Sequence, residues 1–278
     1  MKIKNDAVNL HELHSRHLKV FRTAPGRDQN APYRTVKHLL ALIGTQTPAI
    51  LHHMNDKTKN KLRVELHCHT YASKDSLVQP EKLLEHCQRV GIDRVAITDH
   101  NEITVALAAK ALAPDRVIVG EEIHTSQGEL LGYYMTELIP GGLEPIETIQ
   151  RLRAQGAVIS VPHPFDTTRG PQWTLDELKA ILPLVDAIET FNARCMTNQP
   201  NIKAAAFAQE NDLLATVGSD AHTLYEVGRA SLMMPLFTNA LGFLKSLESA
   251  RLHTRLSSWI VHLFSRYAAF YKRITSAA

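Results

Sequence analysis

Cysteine is scarce in this chain: Cys68, Cys87 and Cys195 are all there are among 278 residues, and no two form a Cys-x-x-Cys pair. That excludes a disulfide framework and a thiolate zinc cluster, and it fits a reducing compartment. Long apolar runs are also missing. No window of about 18 apolar residues occurs, so no membrane-spanning helix is expected. Lys2-Ile3-Lys4-Asn5-Asp6 is not followed by the apolar stretch of a signal peptide. A cytoplasmic protein is the expectation. There is no internal repeat and no low-complexity tract. What remains is 44% hydrophobic, enough for one large core.

Acidic residues are absent from one region in particular. Residues 251–278 hold 5 Lys or Arg and no Asp or Glu, and residues 1–61 carry a balance of +7. The stretch between them, 62–250, is acidic at −9, which the net charge of +3 conceals. An acidic middle is what carboxylate metal ligands produce, since bound cations offset part of their charge.

That middle region has a repeated pattern: short polar clusters, nearly all at the end of an apolar run. They are His67-Cys68-His69 with Asp75, Thr98-Asp99-His100-Asn101, Gly120-Glu121-Glu122, Pro162-His163-Pro164, Glu189-Thr190-Phe191-Asn192, and Gly218-Ser219-Asp220-Ala221-His222. Imidazoles and carboxylates are the ligands that hard and borderline divalent metals take. On a strand, His67 and His69 share a face while Cys68 points into packing. Two adjacent acids after a buried strand repel unless a cation lies between them. Pro162 and Pro164 are expected to hold His163 in an extended segment. Glu189 and Asn192 suit either the orientation of ligand imidazoles or a helix cap. Any one cluster is also explained by a turn, a cap or a solvated side chain. Six in order are not.

The coarse elements are strands over 62–67, 94–98, 117–119, 129–135, 157–161, 187–191 and 214–217, separated by helices. Pro80 opens one helix, Gly91 closes it, and Thr174 with Glu177 predicts a capping box. Strand–helix alternation argues for a parallel sheet, and ligands at successive strand ends argue for a barrel with its site at that face. The predicted domains are a basic, partly helical extension over 1–61, a barrel domain carrying the polar clusters over 62–250, and a basic amphipathic helix over 251–278. That last helix places Leu252, Leu256, Trp259, Ile260, Leu263, Phe264 and Tyr267 at helical spacing, suited to packing on the barrel or to a surface partner. A further helix is expected within 32–54, and His11, His14 and His17 lie three apart in the leader.

The ordered set His67-x-His69, Thr98-Asp99-His100-Asn101, Gly-x-Glu122, Pro162-His163-Pro164 and Asp220-x-His222 resembles the PHP (polymerase and histidinol phosphatase) family over about 62–237. The resemblance implies a distorted seven-stranded (β/α) barrel of TIM-like type with two or three divalent metals, Mn, Fe or Zn, and phosphoester hydrolysis. Carried over, His67, His69, Glu122 and Asp220 would hold one metal. Glu122 would bridge to a second held also by His163, and Asp75, His100 and His222 would hold a third. Glu129 stands where many members carry histidine. A carboxylate there is harder and favours Mn or Fe over Zn. Asp220, His222 and Arg194 are the expected reactive residues, with Arg194 the first candidate for a phosphate-binding cation, ahead of Arg169 and Lys74.

The expectation is a phosphoesterase acting on a small phosphomonoester or a nucleotide. Three alternatives remain. Amide hydrolysis would want a carboxylated lysine, and no lysine sits at a predicted strand end in 94–222. A nuclease or proofreading role would need a partner, with nucleic acid attracted only by the basic ends. A non-catalytic metal-binding scaffold conflicts with the intact ligand set.

Overall fold

The structure is a computed structural model that describes residues 60–169 and 172–275. The expected helix within 32–54 and the three leader histidines lie outside the described residues.

Among the described residues, nine strands form one sheet in the order β7-β6-β5-β4-β3-β2-β1-β8-β9. They are β1 (Lys61–Cys68), β2 (Arg94–Ile97), β3 (Val117–His124), β4 (Glu129–Tyr133), β5 (Val158–Val161), β6 (Ala187–Asn192), β7 (Leu214–Gly218), β8 (Ala230–Pro235) and β9 (Arg251–Thr254). The helices are α1 (Pro80–Arg89), α2 (Thr104–Leu112), α3 (Pro145–Ala154), α4 (Leu175–Ile181), α5 (Gln199–Glu210), α6 (Ala240–Leu247) and α7 (Val261–Thr275). The first seven strands make the expected barrel. It closes where Cys68 bridges Ala221, with His69 N–H donating to Ala221 O at 2.9 Å and Ala221 N–H to His67 O at 3.1 Å.

Three expectations change. The sheet has nine strands, not seven, because β8 pairs antiparallel with the first half of β1 and β9 pairs with β8. It is not all parallel either. β4 runs antiparallel to both β3 and β5, because only a short hairpin joins it to β3. The helix expected from 251 begins only at Val261; Arg251–Thr254 is a strand, since β8 offers it a ladder to join.

The local signals behave as their chemistry dictates. Pro80 opens α1, and Thr174 and Glu177 form the reciprocal capping box of α4. Two apolar layers result. Val64, Leu66, Ile118, Leu131, Tyr133, Val158 and Val217 fill the barrel interior with Phe243. Leu83, Ile97, Ile123, Leu130, Ile159 and Ile188 pack between the strands and the outer helices.

Alternation on β3 sets the polar end of the interior. Ile118 belongs to the interior layer and Val119 and Ile123 to the outer one, so Glu122 faces inward and Glu121 outward. On β1 the register shifts between Glu65 and Cys68. Such a bulge moves one extra residue to the same face, so His67 and His69 follow Val64 and Leu66 to the inside while Cys68 joins the outer core.

Candidate metal centre

The structure brings together every side chain that the sequence singles out as a candidate metal ligand. His67 on β1 and His69 just after it are fully buried, and the Nε2 of each lies 3.3 Å from Glu122 Oε2. His69 Nε2 is also 3.2 Å from Asp220 Oδ1. His163 Nε2 lies 3.0 Å from Glu122 Oε1 and 3.5 Å from Glu129 Oε2. On the other flank, Asp75 Oδ2 is 3.2 Å from His222 Nε2, and His100 Nδ1 is 3.0 Å from Glu122 Oε2. Glu122 is the hub, with both oxygens facing imidazoles.

These atoms fit a metal centre by their own chemistry. His67 Nε2, His69 Nε2, Asp75 Oδ1 and Glu122 Oε2 are buried and find no hydrogen-bond partner. Leaving four buried polar atoms without partners is costly unless a cation completes them. Among the described residues, five triads each have donor atoms within 4.8 Å of one another: His67/His69/Glu122, His67/His163/Asp220, His69/His100/His222, Glu122/Glu129/His163 and His100/His124/Glu129.

The electrostatics agree. Burial opposes ionisation of Glu122, but the imidazoles of His67 and His100 overrule it and hold the carboxyl well below its usual range. Burial likewise opposes Asp220, which Arg169 and His67 keep ionised. Burial disfavours the His100 imidazolium, yet Glu122 and Asp75 raise its pKa to about 9. Glu121 behaves otherwise: it accepts from Ile139 N–H at 3.1 Å, and burial pushes it up to about 8.

Supporting groups hold the ligands in place. Glu189 Oε1 lies 3.0 Å from His67 Nδ1, and its Oε2 accepts from His163 N–H at 2.9 Å and from Asn192 Nδ2 at 2.9 Å. Asp99 does not face the metal triads. It ties the β1 loop by accepting from Thr70 N–H and Oγ1 and from Ser73 Oγ, each at 2.6 Å. That loop carries Asp75. Backbone strain collects here as well, with positive φ at Asn101 (48°), His163 (28°) and Asp220 (51°). The expectation of an extended His163 is thereby corrected: the hydrogen bond from His163 N–H to Glu189 holds the residue left-handed between its two prolines.

The two arginines are held differently. Arg194 is buried, with Nη2 donating to Ser265 Oγ at 2.7 Å and Nη1 lying 3.4 Å from Glu226 Oε1 and 3.5 Å from the backbone oxygen of Asp220. Arg169 reaches the centre itself. It donates to Asp220 Oδ2, to Asn192 Oδ1 at 3.0 Å and to Asp166 Oδ2 at 3.0 Å. His124 was missed in the sequence. Its Nε2 lies 3.0 Å from Glu129 Oε1 and 3.2 Å from His100 Nδ1. The signal was the same-face spacing Glu122-x-His124, which counts only once β3 is seen to run past Val119. Beside His100 and His124 opens a cleft of about 540 Å³, lined also by Tyr71, Ala72, Lys74, Asn101 and Lys272.

A partly antiparallel (β/α) barrel with imidazoles and carboxylates converging at its strand ends is a scaffold whose donor groups could hold divalent metals. Comparison with known proteins makes this specific. The PHP domain model matches residues 65–156 and the PHP-associated model residues 198–252. An uncharacterized protein of Methanocaldococcus jannaschii, MJ0417, is 41% identical over 173 residues, 61% of this chain and 69% of the relative. The chain belongs to the PHP family. Solved structures share the fold. A two-domain protein from Bacteroides vulgatus, described as containing a "predicted PHP-like metal-dependent phosphoesterase", superposes with a TM-score of 0.59 at 16% identity, over 70% of this chain and 65% of that one. The lesion-specific endonuclease PfuEndoQ of Pyrococcus furiosus gives 0.51 at 13% identity, over 69% and 57%.

Proposed function

We propose that this protein hydrolyses small phosphoesters at a centre of two or three divalent metals. The observation that carries the reading is the convergence of His67, His69 and His163 on Glu122, with Asp220 Oδ1 3.2 Å from His69 Nε2 and with buried nitrogens and oxygens that lack a hydrogen-bond partner. His67, His69, Glu122 and Asp220 would hold one metal; Glu122, His163 and Glu129 a second; Asp75, His100 and His222 a third, with His124 beside the last two. Bound divalent metals supply Lewis acidity and bring the pKa of water toward neutrality.

The chain's own residues do the rest. Glu189 fixes the His67 ring so that Nε2 faces the centre. Arg169 sits where its planar guanidinium can meet a phosphoryl oxygen, a role expected of Arg194 from the sequence alone. The neighbouring cleft admits a small leaving group, and Lys74 at its wall offers positive charge to an anionic substrate. Glu129, a hard anionic donor in place of a histidine, favours Mn or Fe over Zn.

The test is turnover of an aryl phosphomonoester and an aryl diester by protein stripped of metal and reloaded separately with Mn, Fe(II) or Zn, with a His163→Ala control. Metal-restored turnover that the control lacks is expected, greater for the monoester. Stoichiometric metal binding without turnover of either ester would sink the proposal, and a strong preference for the diester would redirect it toward nucleic acid.

A further inference from the structure

Helix α7 packs on the barrel with its bulky side turned away. Its inward positions are Val261, Ser265 and Ala268, small residues that bury little. Its outward positions are Leu263, Phe264, Tyr267, Phe270, Tyr271 and Ile274, all between 43% and 60% exposed. At 100° per residue those six side chains fall on one arc of about 120°. Trp259 and Ile260, in the turn before the helix, extend the same surface at 63% and 42% exposure. A helix that served only to cover the barrel would reverse this arrangement.

The helix is nevertheless firmly seated. Ser257 N–H donates to Ala193 O at 2.7 Å, Arg194 Nη2 to Ser265 Oγ at 2.7 Å, and Lys272 Nζ to Ser73 O at 2.6 Å. The outward aromatic face is therefore fixed in place.

Charge says what can cover it. The segment from 251 onward holds 5 Lys or Arg and no acid. Arg266 and Arg273 lie together along one edge of the aromatic arc, and Arg251 and Arg255 are exposed at and just after β9. A second copy of this chain would bring two such basic surfaces together across a twofold axis, like charge against like. The covering surface must be apolar and negative. The aliphatic members, Leu263, Ile260 and Ile274, favour hydrocarbon over stacked bases. The helix has 15 residues, too few to cross a bilayer but enough to lie in its interface with Trp and Tyr at the headgroup level.

We infer that α7, with the Trp259–Ile260 turn, is a docking surface for an anionic lipid bilayer, lying in the interface with its aromatic arc inserted. Lys272 lies on α7 and also lines the cleft beside His100, so docking brings the mouth of the metal centre close to the lipid surface.

The experiment is sedimentation of the full chain with phosphatidylcholine vesicles, with and without phosphatidylglycerol, alongside Trp259 emission. Trp173, the other tryptophan, is buried and serves as a constant background. Binding to the anionic vesicles, a blue shift of emission and weakening by salt are expected. Arg266→Glu with Arg273→Glu should lower partitioning by about tenfold or more. Phe264→Glu with Phe270→Glu should abolish it, whereas Leu241→Glu, at an exposed site on α6, should not. Unchanged metal loading in each variant shows that the fold is intact. Failure of the full chain to bind anionic vesicles, or binding that the Phe264/Phe270 pair leaves unchanged, overturns the inference. So does the finding that this pair instead abolishes dimerisation or oligonucleotide binding.

Discussion

Glu189 Oε1 lies 3.0 Å from Nδ1 of His67, while the opposite nitrogen of the same ring faces Glu122 at 3.3 Å. A carboxylate at Nδ1 keeps the proton there and leaves the Nε2 lone pair free for a cation. Glu189→Gln keeps the shape and removes the charge. Metal affinity should fall by about 10- to 100-fold with the fold retained, as read by titration of the stripped protein. Unaltered affinity would show that Glu189 only braces the backbone of His163.

Gly218 ends β7 where this pair is tightest. A Cβ placed there would come within 2.3 Å of both Glu189 Oε1 and His67 Cβ. Neither can withdraw without breaking the contact between them. Gly218→Ala is expected to cost about 1–3 kcal/mol and to cut metal binding as well. Thermal melts with and without metal separate the two effects: the gap between the melts should narrow in the variant. A lowered melt with an unchanged gap would make Gly218 a packing residue only.

The convergence of the candidate ligands was legible because each member ends an apolar run or follows one closely, and strand ends of a barrel share one face. Strand direction was not legible. The apolar run at Leu130–Leu131 reads the same whichever way it travels, and only the short hairpin from His124 to Glu129 sets β4 antiparallel. The surroundings of the two arginines are set over long range. Arg194 follows the β6 cluster in sequence, yet Ser265 and Glu226, distant in the chain, claim its guanidinium. Arg251–Thr254 fits helical spacing locally, but the free edge of β8 outweighs that preference.

Glu129 lies between two imidazoles, 3.0 Å from His124 Nε2 and 3.5 Å from His163 Nε2. A carboxylate there is a hard, anionic donor, and an imidazole is borderline. Glu129→His should therefore raise the affinity for Zn relative to Mn. Competition between the two ions on the stripped protein measures the ratio. A ratio no higher than in the parent would place Glu129 outside the coordination shell.

Cys87 of α1 packs in the outer core, and burial there pushes its thiol from 9.0 up to about 12. A raised acid keeps its proton to higher pH, so near pH 8 the folded protein holds about 1000-fold less Cys87 thiolate than the unfolded chain does. Alkylation followed by mass should show Cys87 protected in the native protein, and labelled in guanidinium at a rate that climbs through pH 9. Native labelling as fast as unfolded labelling would mean that α1 opens readily from the barrel.

Arg169 and Arg194 should fail in different ways. Arg169 donates to Asp220, Asn192 and Asp166 at the open side of the centre. If it also meets the phosphoryl oxygens, Arg169→Ala should lower kcat by about 100-fold or more, with KM changed less, because charge on those oxygens grows toward the transition state. Arg194→Met instead leaves Oε1 of the buried Glu226 carboxylate without its cation, while Oε2 keeps its bonds from His222 and Thr223, and releases Ser265 on α7. Removing one partner of a buried pair costs about 3 kcal/mol or more, so the loss should appear as a lower melting temperature, with the remaining folded protein still turning over. If Arg194→Met instead kept its stability and lost kcat, the phosphate-binding cation would be Arg194 after all, reached by a movement of its side chain away from Ser265.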